Sequence, residues 1–354
     1  MKKNSHFILV GFILFILSCD STEPPQPPDD NSKLEFSWTV DTLINPNGYG
    51  VVPLSIWGSS SKNTWIAGYN LAWQAELFHH DGTILKRVTP DLGFNYSLTS
   101  IYGFSSNNIY CTGYEIIRDT ALHSESLILH YDGQSWQQES IYTKGGAINY
   151  IHGINENDIW ACGKYGSLYH KTGGFWEKIS FDEKLNLGPI YVAPGGNVFM
   201  MSFPSINPPP GDSAKHYFWR YSNQNWQILD SNTIHNKEYR LIGYTFGAKA
   251  MWGIHGSEIY SAGDAVYNFN GNSWLPATWD DYPYSDIKGT INNKIFVVGN
   301  HGTLRYFNGL DWIRVAKYSN TIVDFYSVMP FEDEIFIGAF QLGEGYVVRG
   351  KVVK

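Results

Sequence analysis

Cysteine is the first residue type to examine for chemistry, since its thiolate is both a nucleophile and a metal ligand. Cys111 follows Tyr110 directly, whereas Cys162 stands two places after Trp160. On strands those offsets point the two thiols to opposite faces, so no disulfide between them is expected and both read as buried free thiols. A thiol nucleophile would also need a paired histidine, and none can be assigned. His79-His80 is the only adjacent His pair, and neighbours on a strand face opposite ways, so the two cannot hold one ion. Asp29-Asp30 and Asp280-Asp281 lack the spaced oxygens of a calcium loop, and Glu332-Asp333-Glu334 reads as a solvated turn. No metal site, cofactor or catalytic set is expected. What remains is a group of aromatic, Arg and His residues in long segments between apolar runs: Trp73, Arg118, His123, Arg240, Trp279, Tyr282, Tyr284 and His301. Such rings and guanidinium groups could hold a sugar or a peptide by stacking and hydrogen bonding.

The elements that must position these residues are repeats. Gly153 and Trp160 stand seven apart, and the same spacing links Gly58 to Trp65, Gly103 to Tyr110, Gly253 to Tyr260 and Gly289 to Phe296. Met329 to Phe336 keeps the spacing without the Gly, and Ala193 to Phe199 is one residue shorter. The second half of the unit recurs too. Asp132-Gly133 leads to Trp136, Asn270-Gly271 to Trp274, Asn308-Gly309 to Trp312 and Ser222-Asn223 to Trp226, while Asp81-Gly82 leads to Leu85. Asp-Gly and Asn-Gly between alternating apolar runs are hairpin turns in which both residues are expected to supply the positive φ of a primed turn. Each unit therefore reads as a four-stranded antiparallel meander, and there are seven.

The seventh unit offers only Val323–Val328, Ile335–Ala339 and Tyr346–Val353, while a spare strand, Glu35–Leu43, stands at the other end with Trp38 where the repeat wants its Trp. Circular closure accounts for both and removes the open edge. The expected fold is all-β, a seven-bladed β-propeller over residues 34–354, its last blade closed by the N-terminal strand. The competing arrangement is a linear solenoid, which would want polar caps. Trp136, Trp176, Trp226, Trp274 and Trp312 are expected to pack blade on blade, because a residue repeated in every unit is scaffold. The loops after second and fourth strands share one face, and Tyr69–Ala75, Tyr114–Glu125, Pro204–Ser213 and Asp230–Phe246 make it the long-loop face.

Composition agrees with many short strands: aromatics are 16%, Gly numbers 35 and charged residues are only 16%. The formal charge of -8 becomes -10 once Lys2 and Lys3 are removed, and there is no basic run, which argues against nucleic acid. Lys2-Lys3 and the apolar run Phe7–Leu17 fit a secretory leader too short to span a bilayer. The segment Asp20–Ser32, with Pro24, Pro25, Pro27 and Pro28, reads as an extended polar tether.

Ile16-Leu17-Ser18-Cys19 resembles the lipobox of bacterial lipoproteins, with Ile16 departing from the usual Leu. That resemblance implies a signal peptide over 1–18, lipidation of Cys19, a tether over 19–33 and attachment to the cell envelope, at the outer membrane or cell surface. The alternative is an ordinary secretory leader. The acidic residues after Cys19 resemble the export signal of Bacteroidota lipoproteins, and Asp20-Ser21-Thr22, Asp41-Thr42-Leu43, Asp119-Thr120-Ala121 and Asp212-Ser213-Ala214 resemble their O-glycan acceptor. In its fourth-strand Trp and its Tyr-Asp-Gly turn, the unit resembles Kelch-type propellers and also Asp-box repeats. It has one Gly where Kelch has a pair, and one residue fewer between Asp and Gly than an Asp box. The expected function is a monomeric, non-catalytic binding or protein-interaction module for a glycan, peptide or envelope protein. The alternative is an extracellular carbohydrate-active enzyme, hydrolase or lyase, using two carboxylates from different blades across the channel mouth.

Overall fold

The structure is a computed structural model that describes residues 34–118, 122–206, 209–237, 240–242, 246–290, 292, 294–315, 318 and 321–353; at 118, 122, 234–237 and 240–242 only the backbone is described. The leader, Cys19 and the tether lie outside these residues. The chain enters through β1 (Phe36–Leu43) and then builds blade after blade. Blade 1 is β2 (Val51–Ser60), β3 (Asn63–Asn70), β4 (Ala75–His80) and β5 (Leu85–Arg87). Blade 2 is β6 (Tyr96–Ser105), β7 (Asn108–Arg118), β8 (Leu122–Tyr131) and β9 (Trp136–Gln138). Blade 3 is β10 (Ile148–Asn155), β11 (Asp158–Gly163), β12 (Leu168–Thr172) and β13 (Phe175–Ile179). Blade 4 is β14 (Leu185–Val192), β15 (Val198–Pro204), β16 (Ser213–Ser222) and β17 (Asn225–Lys237), with a fifth strand β18 (Arg240–Ile242). Blade 5 is β19 (Ala250–His255), β20 (Glu258–Ala262), β21 (Ala265–Phe269) and β22 (Trp274–Trp279). Blade 6 is β23 (Tyr284–Gly289), β24 (Ile295–Gly299), β25 (Thr303–Phe307) and β26 (Trp312–Arg314). Blade 7 is β27 (Asp324–Pro330), β28 (Glu334–Gln341) and β29 (Glu344–Val352), and β1 pairs with β29 as its outer strand. The ring of seven blades closed by the N-terminal strand is the expected one.

The core is spread over the interfaces between blades. Each of the seven junctions holds its own buried apolar cluster, from the blade 1–2 junction round to the 7–1 seam. The repeated outer-strand Trp packs edge-on against the second strand of the preceding blade: Trp136 on Trp65 at 5.6 Å, Trp176 on Tyr110 at 6.3 Å, Trp226 on Trp160 at 5.7 Å and Trp312 on Tyr260 at 6.3 Å. Trp274 reaches Phe218 of blade 4 at 4.9 Å. Leu85, which replaces the Trp in blade 1, fills the same place against Phe336. The repeated Gly has a steric cause as well. A Cβ at Gly103 would enter the ring of Trp57, and one at Gly289 would enter the ring of Trp252, so the aromatic of one blade lies over the glycine of the next. Cys111 is buried in the blade 1–2 cluster and Cys162 in the blade 3–4 cluster, so the two free thiols do face opposite ways.

Two expectations need correction. In the Asp-Gly and Asn-Gly turns between third and fourth strands, only the Gly takes a positive φ, 93° at Gly82, 96° at Gly133, 92° at Gly271 and 99° at Gly309, whereas in blade 4 both Asn223 and Gln224 do, at 50° and 62°. The preceding Asp or Asn uses its side chain instead: Oδ1 of Asp132 accepts the amides of Gln134 and Ser135, and Asn270 and Asn308 do the same for the residues after them. These bonds hold the exposed Asp132 carboxyl below its usual range. Two of the long loops are also largely strand. Tyr114–Glu125 is a hairpin arm, in register as far as Arg118↔Leu122, and Asp230–Phe246 contains the end of β17 folded back through β18.

Candidate functional site

The inner strands β2, β6, β10, β14, β19, β23 and β27 line a central channel enclosing about 280 Å³. One register position recurs on all of them: Trp57, Tyr102, His152, Tyr191, Trp252, Lys288 and Met329, each opposite the aromatic of the second strand. The ring is aromatic except at blades 6 and 7. There the Lys288 ammonium donates to the carbonyl of Ile56 in blade 1 at 2.6 Å and stands 3.8 Å from Asp286. Asp286 also accepts the amides of Ile287 and Val328, both at 2.9 Å; burial raises its carboxyl, and Lys288 opposes that shift. Among the described residues Asp286 is the one carboxylate lining the channel, so the pair of carboxylates from different blades that glycoside chemistry would need is not assembled there.

His152 faces Tyr102 and Tyr191 at 4.6 and 5.2 Å, and its Nδ1 accepts the amide of Val192 at 3.1 Å. Desolvation, with Lys288 adding to it, lowers its pKa to about 3, so the imidazole is neutral near pH 7. The unfolded chain takes up this proton near pH 6.5 and the folded chain does not. Stability from this group is therefore complete above pH 6.5 and is lost as pH falls towards 3. Replacing His152 by Asn is expected to flatten the acid limb between pH 6 and 4 by up to about 1.4 kcal/mol per pH unit, read by urea unfolding at each pH. An unchanged limb would place the acid sensitivity elsewhere.

His170 and Asp158, 2.9 Å apart, look like an acid–base dyad. The same construction occurs in blades 1 and 2 with Asn in place of Asp: His79 Nε2 with Asn63 Oδ1 at 2.7 Å, and His130 with Asn108 at 3.0 Å. The three imidazoles stack on Trp65, Tyr110 and Trp160 at 4.2, 4.4 and 4.0 Å. An amide does the carboxylate's work in two of the three, so these are repeat scaffold. His79 and His80 do point apart, the first onto Trp65 and the second towards Phe336 of blade 7. Among the described residues no group of three His, Cys, Asp or Glu side chains is placed to hold a metal.

Among the described residues, four of the six non-glycine residues of positive φ lie on the long-loop face, the other two being Asn223 and Gln224 in the blade 4 turn opposite. Tyr165, His301 and Leu342 occupy the first central position of second-to-third-strand turns with φ of 53°, 55° and 51°, each followed by a positive-φ glycine. Hairpins give that slot to Asn, Asp or Gly. A bulky residue there is strained, and such strain concentrates at functional sites. Trp73, in the same turn of blade 1, has φ 62°. Tyr165, Trp73 and Leu342 are 53%, 56% and 85% exposed, so core burial of their side chains does not account for that conformation. Leu71, two residues from Trp73, is exposed, as is Ile44. The turn that carries Leu71 and Trp73, the segment at Gly50 and the Leu342-Gly343 turn pack backbone to backbone, with the Leu71 amide donating to Gly50 O at 3.0 Å and Gly50 lying against Gly343.

Beneath Trp73 lies a buried carboxylate. Glu76 is fully enclosed and accepts from Asn45 Nδ2, from Asn70 Nδ2 at 3.0 Å and from Arg87 Nε at 2.6 Å. Asn70 Oδ1 in turn accepts the amides of Ala72 and Gln74, the Trp73 amide donates to Asn70 O at 2.8 Å, and Ser97 of blade 2 donates to Trp73 O. The indole is thus held out by a rigid loop, with Tyr69 stacked against it at 4.9 Å.

Of the residues singled out in the sequence, Trp73, Trp279, Tyr282 and His301 lie on this face. Tyr282 and His301 stack at 3.9 Å and 7°, and the His301 amide donates to Asp324 at 3.0 Å. Trp279 is 71% exposed at the end of β22. His123 is on the blade 2 arm, 4.0 Å from Glu125. Tyr284 is not on the rim: it is buried in the cluster between blades 5 and 6, because the first residue of β23 points into that junction. Arg118 and Arg240 end β7 and begin β18, and their side chains lie outside the description. These residues belong to five blades and do not form one cluster. Tyr165, Leu342, Leu71, Glu115 and Glu125 were missed; the pairs Tyr165-Gly166 and Leu342-Gly343 carried a signal, a large residue in a turn slot that asks for Asn.

Fold and face together define a seven-bladed β-propeller with one elaborated rim. No family model matches the chain, and no curated protein matches it. Solved propellers do. The structure described as YCF48 bound to D1 peptide is 18% identical with a TM-score of 0.61, the match covering 90% of this chain and 97% of that one. YCF48 from Cyanidioschyzon merolae is 12% identical at 0.56, covering 88% and 98%. The WD40 β-propeller domain of Doa1 is 11% identical at 0.57, covering 89% and 97%. At such identities the likeness is one of fold.

Proposed function

We propose that this chain is a lipid-anchored protein of the bacterial cell envelope whose propeller holds a protein partner on its long-loop face and catalyses no reaction. The observation that carries the reading is the exposure of large apolar or aromatic residues at positive φ, Trp73, Tyr165 and Leu342, on that face; among the described residues the opposite face has only the polar pair Asn223-Gln224 in such a conformation outside glycine. Aliphatic side chains such as Leu71 and Leu342 beside the indole favour protein over sugar, since they offer no stacking surface to a sugar ring and bury well against apolar side chains. A propeller of similar shape carries a peptide in the YCF48–D1 peptide structure, which supports the reading. The anchor rests on the leader and Cys19.

A photo-crosslinking residue placed at Leu71 or Leu342 in the full chain, in the producing bacterium, is expected to trap one partner that the same residue at Gln134 or Asn272 does not trap. Trp73→Ala should abolish the adduct, and added soluble 34–354 should compete it away. Equal trapping from both faces, or none from either, overturns the proposal. Incorporation of an alkyne fatty acid, lost in Cys19→Ser, tests the anchor separately.

A further inference from the structure

The notch between blades 1 and 2 has a chemistry of its own. Trp73, a residue 56% exposed, presents an indole stacked on Tyr69 at an interplanar angle of 25°. Beside it, Tyr96, Glu115 and Glu125 are in register across β6, β7 and β8, so the two carboxylates share a blade face with Tyr96, whose ring belongs to the core between blades 1 and 2. Ser97, next to Tyr96, is the residue that bonds to Trp73 O, which brings the indole's loop and this row together.

Like charges directly opposite on neighbouring strands repel and cost stability. Here the pair persists: among the described side chains no Lys or Arg lies on Glu115, and burial together with Glu125 raises its carboxyl. His123 stands 4.0 Å from Glu125, and among the described side chains no Lys or Arg pairs with either carboxylate; a solvent-facing aromatic beside such a pair is complementary to one group above others. A guanidinium is planar enough to lie on an indole and forked enough to meet carboxylate oxygens in pairs. An ammonium does only part of this, and a neutral sugar would leave the carboxylates uncompensated. The formal charge of -8 favours approach of a basic segment.

We infer that this notch takes an arginine of the partner protein, its guanidinium on the open side of Trp73 and paired with Glu115 and Glu125. The inference rests on the long-loop reading and adds the partner's chemistry to it.

The probes are an acetylated, amidated hexapeptide containing two arginines, its citrulline counterpart and its lysine counterpart, titrated calorimetrically into the anchor-free chain at low and high salt. The arginine peptide is expected to bind about tenfold more tightly than the citrulline peptide, with lysine between them, and the advantage should shrink with salt. Glu115→Gln/Glu125→Gln should erase the arginine preference while leaving the melting temperature equal or higher, because it removes a repulsion, and Trp73→Ala should weaken the arginine peptide most. Equal binding of arginine and citrulline peptides, or a preference that survives the double substitution, overturns the inference. If no peptide binds while crosslinking from Leu71 still traps a partner, this inference falls and the long-loop reading stands. If both fail, both fall.

Discussion

A chain begun at Tyr49 is expected to show no cooperative unfolding transition, whereas one begun at Leu34 melts as a single unit. Without β1, the outer edge of β29 loses its ladder from Phe36↔Val352 to Leu43↔Gly345, and the clusters on either side of blade 7 lose Phe36, Trp38 and Leu43. Burial of large apolar side chains contributes roughly 1.5–3 kcal/mol each, so the loss is on the order of 5 kcal/mol, comparable with the stability of an ordinary domain. The exposed edge would also invite association. Calorimetry and light scattering on the two chains check this, and residues 34–43 supplied as a free peptide should restore the transition. A shortened chain that melts within a few degrees of the longer one would mean that the ring closes without its strap.

Replacing Glu76 by Leu is expected to cost about 3 kcal/mol and to weaken partner binding at the same time. The carboxylate is enclosed and serves three donors, so removing it strands Asn45 and Asn70 in the interior while Arg87, a third exposed, turns to water. Arg87→Met should therefore cost less than Glu76→Leu, an order that denaturant unfolding of the two variants can test. The binding loss follows because Asn70 holds the amides that fix the Trp73 turn. If Glu76→Leu unfolds within about 0.5 kcal/mol of the parent, the buried network is not what holds the loop.

The blades were legible because the constraint that makes them is local and repeated. A Gly under an aromatic, and a Trp against the previous blade, recur at fixed spacing. Even the missing Trp at Leu85 kept its slot. The site was less legible for two reasons. Tyr284 and Tyr282 are both rim-like in sequence, and only the direction of β23 at its first residue separates a core ring from an exposed one. Glu115 and Glu125 looked like loop residues, and they become neighbours only because Tyr114–Glu125 folds as a hairpin in register. Pairing between strands sets which charges meet, and a single chain's spacing does not display it.

The direction of β1 has a mechanical consequence. Phe36 pairs with Val352 at the far end of β29 and Leu43 with Gly345 beside the Leu342 turn, so the strand runs from the short-turn face to the long-loop face. A pull applied through residues before Leu34 acts along the strand, and the eight register pairs share that load in shear instead of opening one after another. Were a partner held on the long-loop face as proposed, the line of force would run through the closure seam from one side of the disc to the other. The ring would resist such tension with its strap loaded in its strongest direction, and would open readily only under a force that peels β1 sideways.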